Sequence, residues 1–217
     1  MKLQLALDDI SLTDALILAE KVRDYVDIFE IGSPFIIAEG MHAVREFRRN
    51  FPEKEILADT KIMDAGAYEA GLTFEAGADY CTVLSVTDTL TIQACLEEAK
   101  KYNKQVFVDT ICSPNLDERI KEIEAVGVDS ISVHVGVDQQ AVGKTPLNAL
   151  KEVKAISKTS QISVAGGIKV NTVEEYEKVG ADIVIVGGGI NHAADPVATA
   201  KALGTKIHSF TSENVTA

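Results

Sequence analysis

The chain has 217 residues, of which 46% are hydrophobic and 25% charged, and it carries a formal net charge of −12. That length and apolar content suit one substantial core, and α/β barrels reach this size as a single domain. The acidic balance argues against nucleic acid or an anionic membrane as partner, since both reward clustered Lys and Arg. Any anionic substrate therefore has to be held by local positive features against the global field.

From the amino terminus, MKLQLALDDIS reaches Asp8 after a few apolar residues. It is too short for a signal peptide or for a membrane span of about 20 residues, and a cytoplasmic protein is expected. Strands are predicted at 3–7, 26–32, 55–61, 80–84, 105–110, 130–135, 161–167 and 183–189, with helices between them. In the first helix Leu12, Ala15, Leu16, Ala19 and Val22 share a face, and Ser11 with Asp14 gives it a capping-box start. A later helix runs from Asn115 with Leu116, Ile120 and Ile123 apolar, and Gly127 is placed to end it. Cys81, Cys95 and Cys112 lack a C-x-x-C spacing and read as reduced thiols. The charged runs at 45–50 and 96–101 read as solvated helix faces.

EAGAD (75–79), AVGVD (125–129) and KVGAD (178–182) each stand directly before a predicted strand, at spacings of 50 and 53 residues. Gly77, Gly127 and Gly180 look like helix stops. Eight alternating β and α elements with apolar strands point to a single parallel (β/α)8 TIM barrel over residues 1–204. An open doubly wound sheet is the alternative, and eight even units favour closure. Residues 205–217 read as a polar, peripheral tail.

The polar residues fall where such a barrel would place chemistry. Strand one ends at Asp8, strand two at Glu30, strand three at Asp59 and Lys61, strand five at Asp109 and strand six at His134. In parallel strands these ends share one face, the face that carries active sites in barrels. Residues two apart share a side, so Asp59 and Lys61 should converge over the mouth. One acid at a strand end is commonly a cap or turn residue. Six ionisable groups at five strand ends are hard to explain that way. His42 and His208 attract no functional expectation, and His192 ranks below His134.

Glu30 and Asp59 offer oxygen ligands to a hard cation such as Mg2+. Lys61 supplies fixed positive charge, and His134 can transfer a proton near neutral pH. The glycine-rich turns after strands seven and eight (165–167 and 187–189) expose backbone N–H groups suited to a phosphate.

ADTKIMDAG (58–66) resembles the Asp-x-Lys-x-x-Asp signature of the orotidine 5′-monophosphate decarboxylase suprafamily. Nearly the whole chain, to about residue 203, is similar to that suprafamily's 3-hexulose-6-phosphate synthase branch. The matching stretches are LQLALD, EIGSP, HVGVDQQAVGKTP, VAGGIK and IVGGGI. The resemblance implies reversible, Mg2+-dependent condensation of formaldehyde with D-ribulose 5-phosphate to D-arabino-hex-3-ulose 6-phosphate through an enediolate. It implies Glu30 and Asp59 as metal ligands, Asp8, Lys61 and Asp109 in the catalytic cluster, and His134 in proton transfer. Gly167, Gly187 and Gly188 match phosphate-binding positions. Asp64 is implied to reach the neighbouring subunit's site across a homodimer interface. Formaldehyde comes from the resemblance alone.

The nearest rival branch, 3-keto-L-gulonate-6-phosphate decarboxylase, typically has Glu, Arg and Thr where this chain has Asp109, Val137 and Ala165, and an Arg where Gly188 stands. Orotidine decarboxylase itself fits worse, because its metal-free site lacks the Glu30–Asp59 arrangement. A barrel that binds phosphosugars without catalysis is a third reading, opposed by the intact set Asp59, Lys61, Asp64 and His134.

Overall fold

The structure is a computed structural model that describes the backbone of residues 1–213 and the side chains of residues 1–210. In chain order the elements are β1 (Lys2–Leu7), α1 (Leu12–Val22), β2 (Ile28–Ile31), α2 (Ser33–Glu39), α3 (Met41–Asn50) and β3 (Glu55–Ile62). Then come α4 (Gly66–Glu75), β4 (Tyr80–Leu84), α5 (Thr89–Tyr102), β5 (Gln105–Asp109), α6 (Leu116–Ala125) and β6 (Ser130–His134). The last part holds α7 (Val137–Gln140), α8 (Leu147–Ile156), β7 (Gln161–Ala165), α9 (Val173–Val179), β8 (Ile183–Val186), α10 (Gly188–Asn191) and α11 (Pro196–Glu213). Each strand pairs in parallel with its sequence neighbours, and β8 closes on β1. The fold is a (β/α)8 barrel.

Alternation along the strands divides the core in two. Outward-facing residues such as Leu3, Leu5, Leu7, Ile56, Ile131 and Val184 pack under the helices. Ala6, Ile28, Leu57, Phe107, Ile183 and Ile185 fill the barrel's inside. That interior also carries fully or nearly fully buried polar groups, including Gln4, Glu30, Asp59, Thr82 and Asp109. Buried polar groups are rarely left unsatisfied, and Glu30, Asp59 and Asp109 stand toward the carboxyl ends of β2, β3 and β5, where packing yields to chemistry.

The repeated Gly-x-Asp sequences have a double physical cause. Gly77, Gly127 and Gly180 all take positive φ (104°, 84° and 90°), the left-handed conformation that ends a helix and favours glycine. The Asp two residues on satisfies the amide that opens the preceding strand. Asp79 Oδ2 accepts from Ile56 N at 2.8 Å, Asp182 Oδ2 from Ile162 N at 2.8 Å, and Asp129 faces the amide of Val106. Asp27, outside the recognised repeat, does the same for Leu3 N at 2.8 Å. Every second strand therefore caps the one before it.

Three details differ from the expectations. Ser11 Oγ accepts from Asp14 N at 3.2 Å, but Asp14 returns the bond to the Ser11 hydroxyl, so the capping box is incomplete. Arg48, in a run read as a solvated face, donates to the carbonyls of Gly77, Pro52 and Lys54 at 2.8–3.0 Å and pairs with Asp79. The expected tail at 205 is, as far as residue 213, a continuation of α11, with Ile207 fully buried; residues 214–217 lie outside the described residues. All three cysteines are free, with Cys81 and Cys95 buried and Cys112 exposed. No helix among the described residues is long and apolar enough to cross a membrane.

The place where a tail was expected to begin is among the tightest contacts of the fold. A Cβ on Gly204 would lie 2.3 Å from the Tyr25 carbonyl oxygen, a backbone atom that cannot swing aside. Gly204→Ala should therefore lower stability by about 1–3 kcal/mol, the usual cost of overpacking, as read from a urea midpoint at unchanged m-value.

Candidate active site

Asp8, Glu30, Asp59, Lys61, Asp109 and His134 come together at the carboxyl ends of β1, β2, β3, β5 and β6. Lys61 Nζ donates to Asp59 Oδ2 at 2.5 Å and lies 3.2 Å from Asp109 Oδ2. Asp109 Oδ2 is in turn 2.9 Å from His134 Nδ1, and its Oδ1 accepts from Ile111 N at 2.8 Å. A carboxylate only accepts, so the shared hydrogen belongs to Nδ1, and in the neutral ring Nε2 keeps a free lone pair.

Lys61 is aimed by an irregularity in β3. Ala58 faces Cys81 and Ile62 faces Val83, so β3 takes four steps where β4 takes two. Within this bulge Lys61 has φ 46°, a left-handed conformation that costs a non-glycine residue roughly 1–2 kcal/mol. Strain of this kind persists only where its surroundings hold it.

The charges are unequal in number, and the acids register it. Burial, the proximity of Asp59 and that of Asp8 push the Glu30 carboxyl up to about 8, although Gln4 opposes the shift. Burial and then Asp59 raise Asp8 as well. Burial works against the Lys61 ammonium, but Asp59 and Asp109 more than offset it and hold the lysine charged. Burial also acts on Asp109, yet the His134 hydrogen bond and the Lys61 charge keep it below the usual carboxylate range.

The donor set suits a hard divalent cation. Among the described residues no three His, Cys, Asp or Glu side chains form a complete cage. Mg2+ needs none, since one or two carboxylates, water and substrate oxygens commonly complete its shell. Glu30 and Asp59 repel one another on neighbouring strands, and Glu30 uses only Oε2 in its 2.7 Å bond from Gln4 Nε2. The Gln4 side-chain oxygen is buried with no hydrogen-bond partner among the described residues. A cation would relieve the repulsion and find free oxygens.

Across the mouth, Gly167 takes φ 67° after β7, and Gly187 and Gly188 lead from β8 into α10. A side chain at Gly187 would meet Asp8 Oδ2 at 3.4 Å, which puts this turn beside the acidic cluster. An open cleft of about 490 Å3 continues from His134 along Thr110, Cys112, Ser113, Lys144 and Thr145. Asp64 does not join the cluster within this chain. It is exposed, and its Oδ1 accepts from Ala65 N at 2.7 Å, just ahead of α4. His192 pairs instead with Asp9, at 2.8 Å on the surface, and His208 with Asp27 at 3.0 Å.

Several supporting residues escaped the sequence reading. Ser33 Oγ lies 2.6 Å from the Asp59 carbonyl oxygen and 2.9 Å from its Oδ2. Thr82 Oγ1 donates to Asp59 Oδ1 at 2.7 Å, and Gln4 holds Glu30 from below. Gly32 is needed for room: a Cβ there would lie 2.0 Å from Asp8 Oδ1 and 2.7 Å from the Leu7 carbonyl oxygen. The one available signal was the two-residue period, which puts Gln4 and Thr82 on inward positions.

A closed eight-stranded parallel barrel whose ionisable groups gather at the carboxyl ends of its strands defines the class, that of the barrel enzymes. Residues 1–203 match the model of the orotidine 5′-phosphate decarboxylase / HUMPS family, and the chain belongs to that family. It is 49% identical over 201 residues to a 3-hexulose-6-phosphate synthase of Staphylococcus aureus strain MSSA476, covering 93% of this chain and 96% of that one. A 3-hexulose-6-phosphate synthase structure from Salmonella typhimurium superposes with a TM-score of 0.95 at 48% identity, covering 97% of this chain and all of the other. A 3-keto-L-gulonate-6-phosphate decarboxylase from Vibrio cholerae superposes at 0.83 with 30% identity, covering 96% and 98%.

Proposed function

We propose that this protein is a 3-hexulose-6-phosphate synthase. It joins formaldehyde to C1 of D-ribulose 5-phosphate, reversibly, to give D-arabino-hex-3-ulose 6-phosphate. The observation that carries the reading is the unbroken chain from Asp59 through Lys61 and Asp109 to His134, in a barrel nearly half identical to proteins of that name.

His134 Nε2 takes a proton from C1 of the bound ketose, and Asp109 holds the ring in the tautomer that leaves this nitrogen basic. The resulting enediolate is anionic, and the Lys61 ammonium is fixed beside it. C1 then bonds to the formaldehyde carbon, and the former aldehyde oxygen takes up the proton from His134. All atoms of both substrates enter the product, and nothing is oxidised or reduced. Glu30 and Asp59 would hold Mg2+, which supplies further positive charge for the enediolate oxygens. Gly167, Gly187 and Gly188 receive the phosphate on backbone N–H groups at the ends of β7 and β8. Asp64, exposed in its own chain, completes the site of a second copy, and the active form is a two-fold dimer.

In an assay with Mg2+, ribulose 5-phosphate and formaldehyde, formaldehyde should disappear as hexulose phosphate forms. Without formaldehyde, in D2O, one C1 hydrogen of ribulose 5-phosphate should exchange. His134→Asn should lower condensation and exchange together by roughly 10²–10⁴-fold. Normal exchange in that variant would assign the base elsewhere, and no condensation by the wild type would end the proposal.

Chelation should abolish turnover and added Mg2+ restore it. Below pH 8 Glu30 is largely protonated, and a bound cation must displace that proton. Apparent Mg2+ affinity, titrated calorimetrically, should therefore rise with pH, by up to about tenfold per unit, and level off above 8. Affinity independent of pH would remove Glu30 from the ligand set.

Lys61→Ala and Asp64→Asn should each be nearly inactive. Mixed and allowed to exchange subunits, they should form about half heterodimers, each with one intact site, so that activity returns to roughly a quarter of wild type. Confirmed subunit exchange with no recovery would place Asp64 outside the mechanism.

A further inference from the structure

We infer that Thr82 is a positioning residue for Lys61: its hydroxyl clamps the β3 bulge in the one conformation that places the ammonium between Asp59 and Asp109. The register pairs of β3 with β4 skip residues 59–61. Thr82 lies on β4 between Cys81 and Val83, opposite the segment of β3 where the register shifts. Past that point the Ile62–Val83 pair resumes the ladder, and side chains hold the bulge between. Lys61 N donates to Thr82 Oγ1 at 2.8 Å, and Thr60 Oγ1 donates to the Thr82 carbonyl oxygen at 3.0 Å. The two threonines thus tie the bulge to β4 through side-chain bonds.

The direction of each bond at Thr82 is forced. A hydroxyl has one hydrogen and two lone pairs. The Lys61 amide can only donate and the Asp59 carboxylate only accept, so Thr82 Oγ1 must accept from the first and give its hydrogen to the second, at 2.7 Å. One buried hydroxyl therefore fixes the backbone of the lysine and the carboxylate that binds its ammonium. Lys61 sits at φ 46°, where a non-glycine residue relaxes unless it is held. Thr82 is itself only 5% exposed, and among the described residues no other side chain supports that amide.

In activity terms the inference rests on the proposed reaction, so its test includes a readout that does not. Thr82→Val keeps the shape and removes the hydroxyl, and Thr82→Ser restores the hydroxyl without the methyl. Thr60→Val cuts the other stitch and leaves Asp59 untouched. The Thr82→Val protein should exchange the Lys61 amide hydrogen at least tenfold faster than wild type. Its kcat should fall by about 100-fold, the scale of an ångström-level misplacement, with KM for ribulose 5-phosphate within about threefold. Thr82→Ser should recover most of the kcat and the protection, and Thr60→Val should lie between. A folded Thr82→Val protein with wild-type kcat, or with the Lys61 amide still protected, overturns the inference, and so does a Thr82→Ser variant as impaired as the valine. Should Thr82→Val fail to fold, Thr60→Val decides by the same two readouts, with wild-type values in both overturning it. If the wild type does not condense formaldehyde, the proposed function fails. The clamp then stands or falls on amide protection alone.

Discussion

Four carboxyl groups and one ammonium share the mouth of this barrel, and that imbalance governs the rest of the site. Buried charge is tolerated only when paired. Lys61 can serve Asp59 and Asp109 directly, at 2.5 and 3.2 Å, and cannot also neutralise Glu30 and Asp8. Those two answer by holding their protons more tightly, Glu30 up to about 8. The cluster is short of positive charge. The proposed divalent cation would correct the deficit. The glycine turns proposed for the phosphate stand on β7 and β8 and would use backbone dipoles in place of side-chain cations.

Such a cluster needs a frame that will not yield to its repulsions. The barrel provides it at the opposite end of the strands, where Asp27, Asp79 and Asp182 each bond the opening amide of the preceding strand at 2.8 Å. Asp79 also binds Arg48 and Lys104. At the upper end the frame is tuned locally. Gly32 leaves space that the Asp8 carboxylate occupies, Ser33 caps Asp59, and the β3 bulge turns Lys61 inward. Regular geometry supplies rigidity, and small departures from it supply aim.

Most of the architecture was legible because it follows from periodicity. Apolar strands at even spacing and three Gly-x-Asp stops gave closure, and strand-end polarity gave Asp8, Glu30, Asp59, Lys61, Asp109 and His134. What was not legible depends on contacts across strands. Ser33 and Thr82 are ordinary residues in sequence, and only the folded barrel brings them to Asp59. Arg48 read as solvent-facing because a helix of charges has no visible partner until Gly77 and Asp79 come beside it. The tail read as peripheral because 205–217 lacks a strong apolar stripe, yet Ile207 is fully buried in α11. The proposed one-carbon substrate, which no periodicity could supply, rests on a resemblance alone.

The choice between the proposed synthase reaction and a decarboxylation turns on charge beside His134. The proposed route reaches its enediolate by removing a proton, whereas a decarboxylation loses carbon dioxide. A carboxylate that is to leave must first be bound, and binding an anion near Asp109 calls for a cation. His134 has Ala165 as its register partner on β7, and Val137 is 78% exposed at the start of α7. Neither can offer charge. Asp109 itself is committed, with Oδ2 bonded to His134 and Oδ1 to the Ile111 amide. Positions 137 and 165 thus add no cation beside His134, which in the proposed function suits a small neutral electrophile better than an acidic substrate. In the proposed reaction, the carboxylate that orients His134 is thereby committed and takes no part in binding the second substrate.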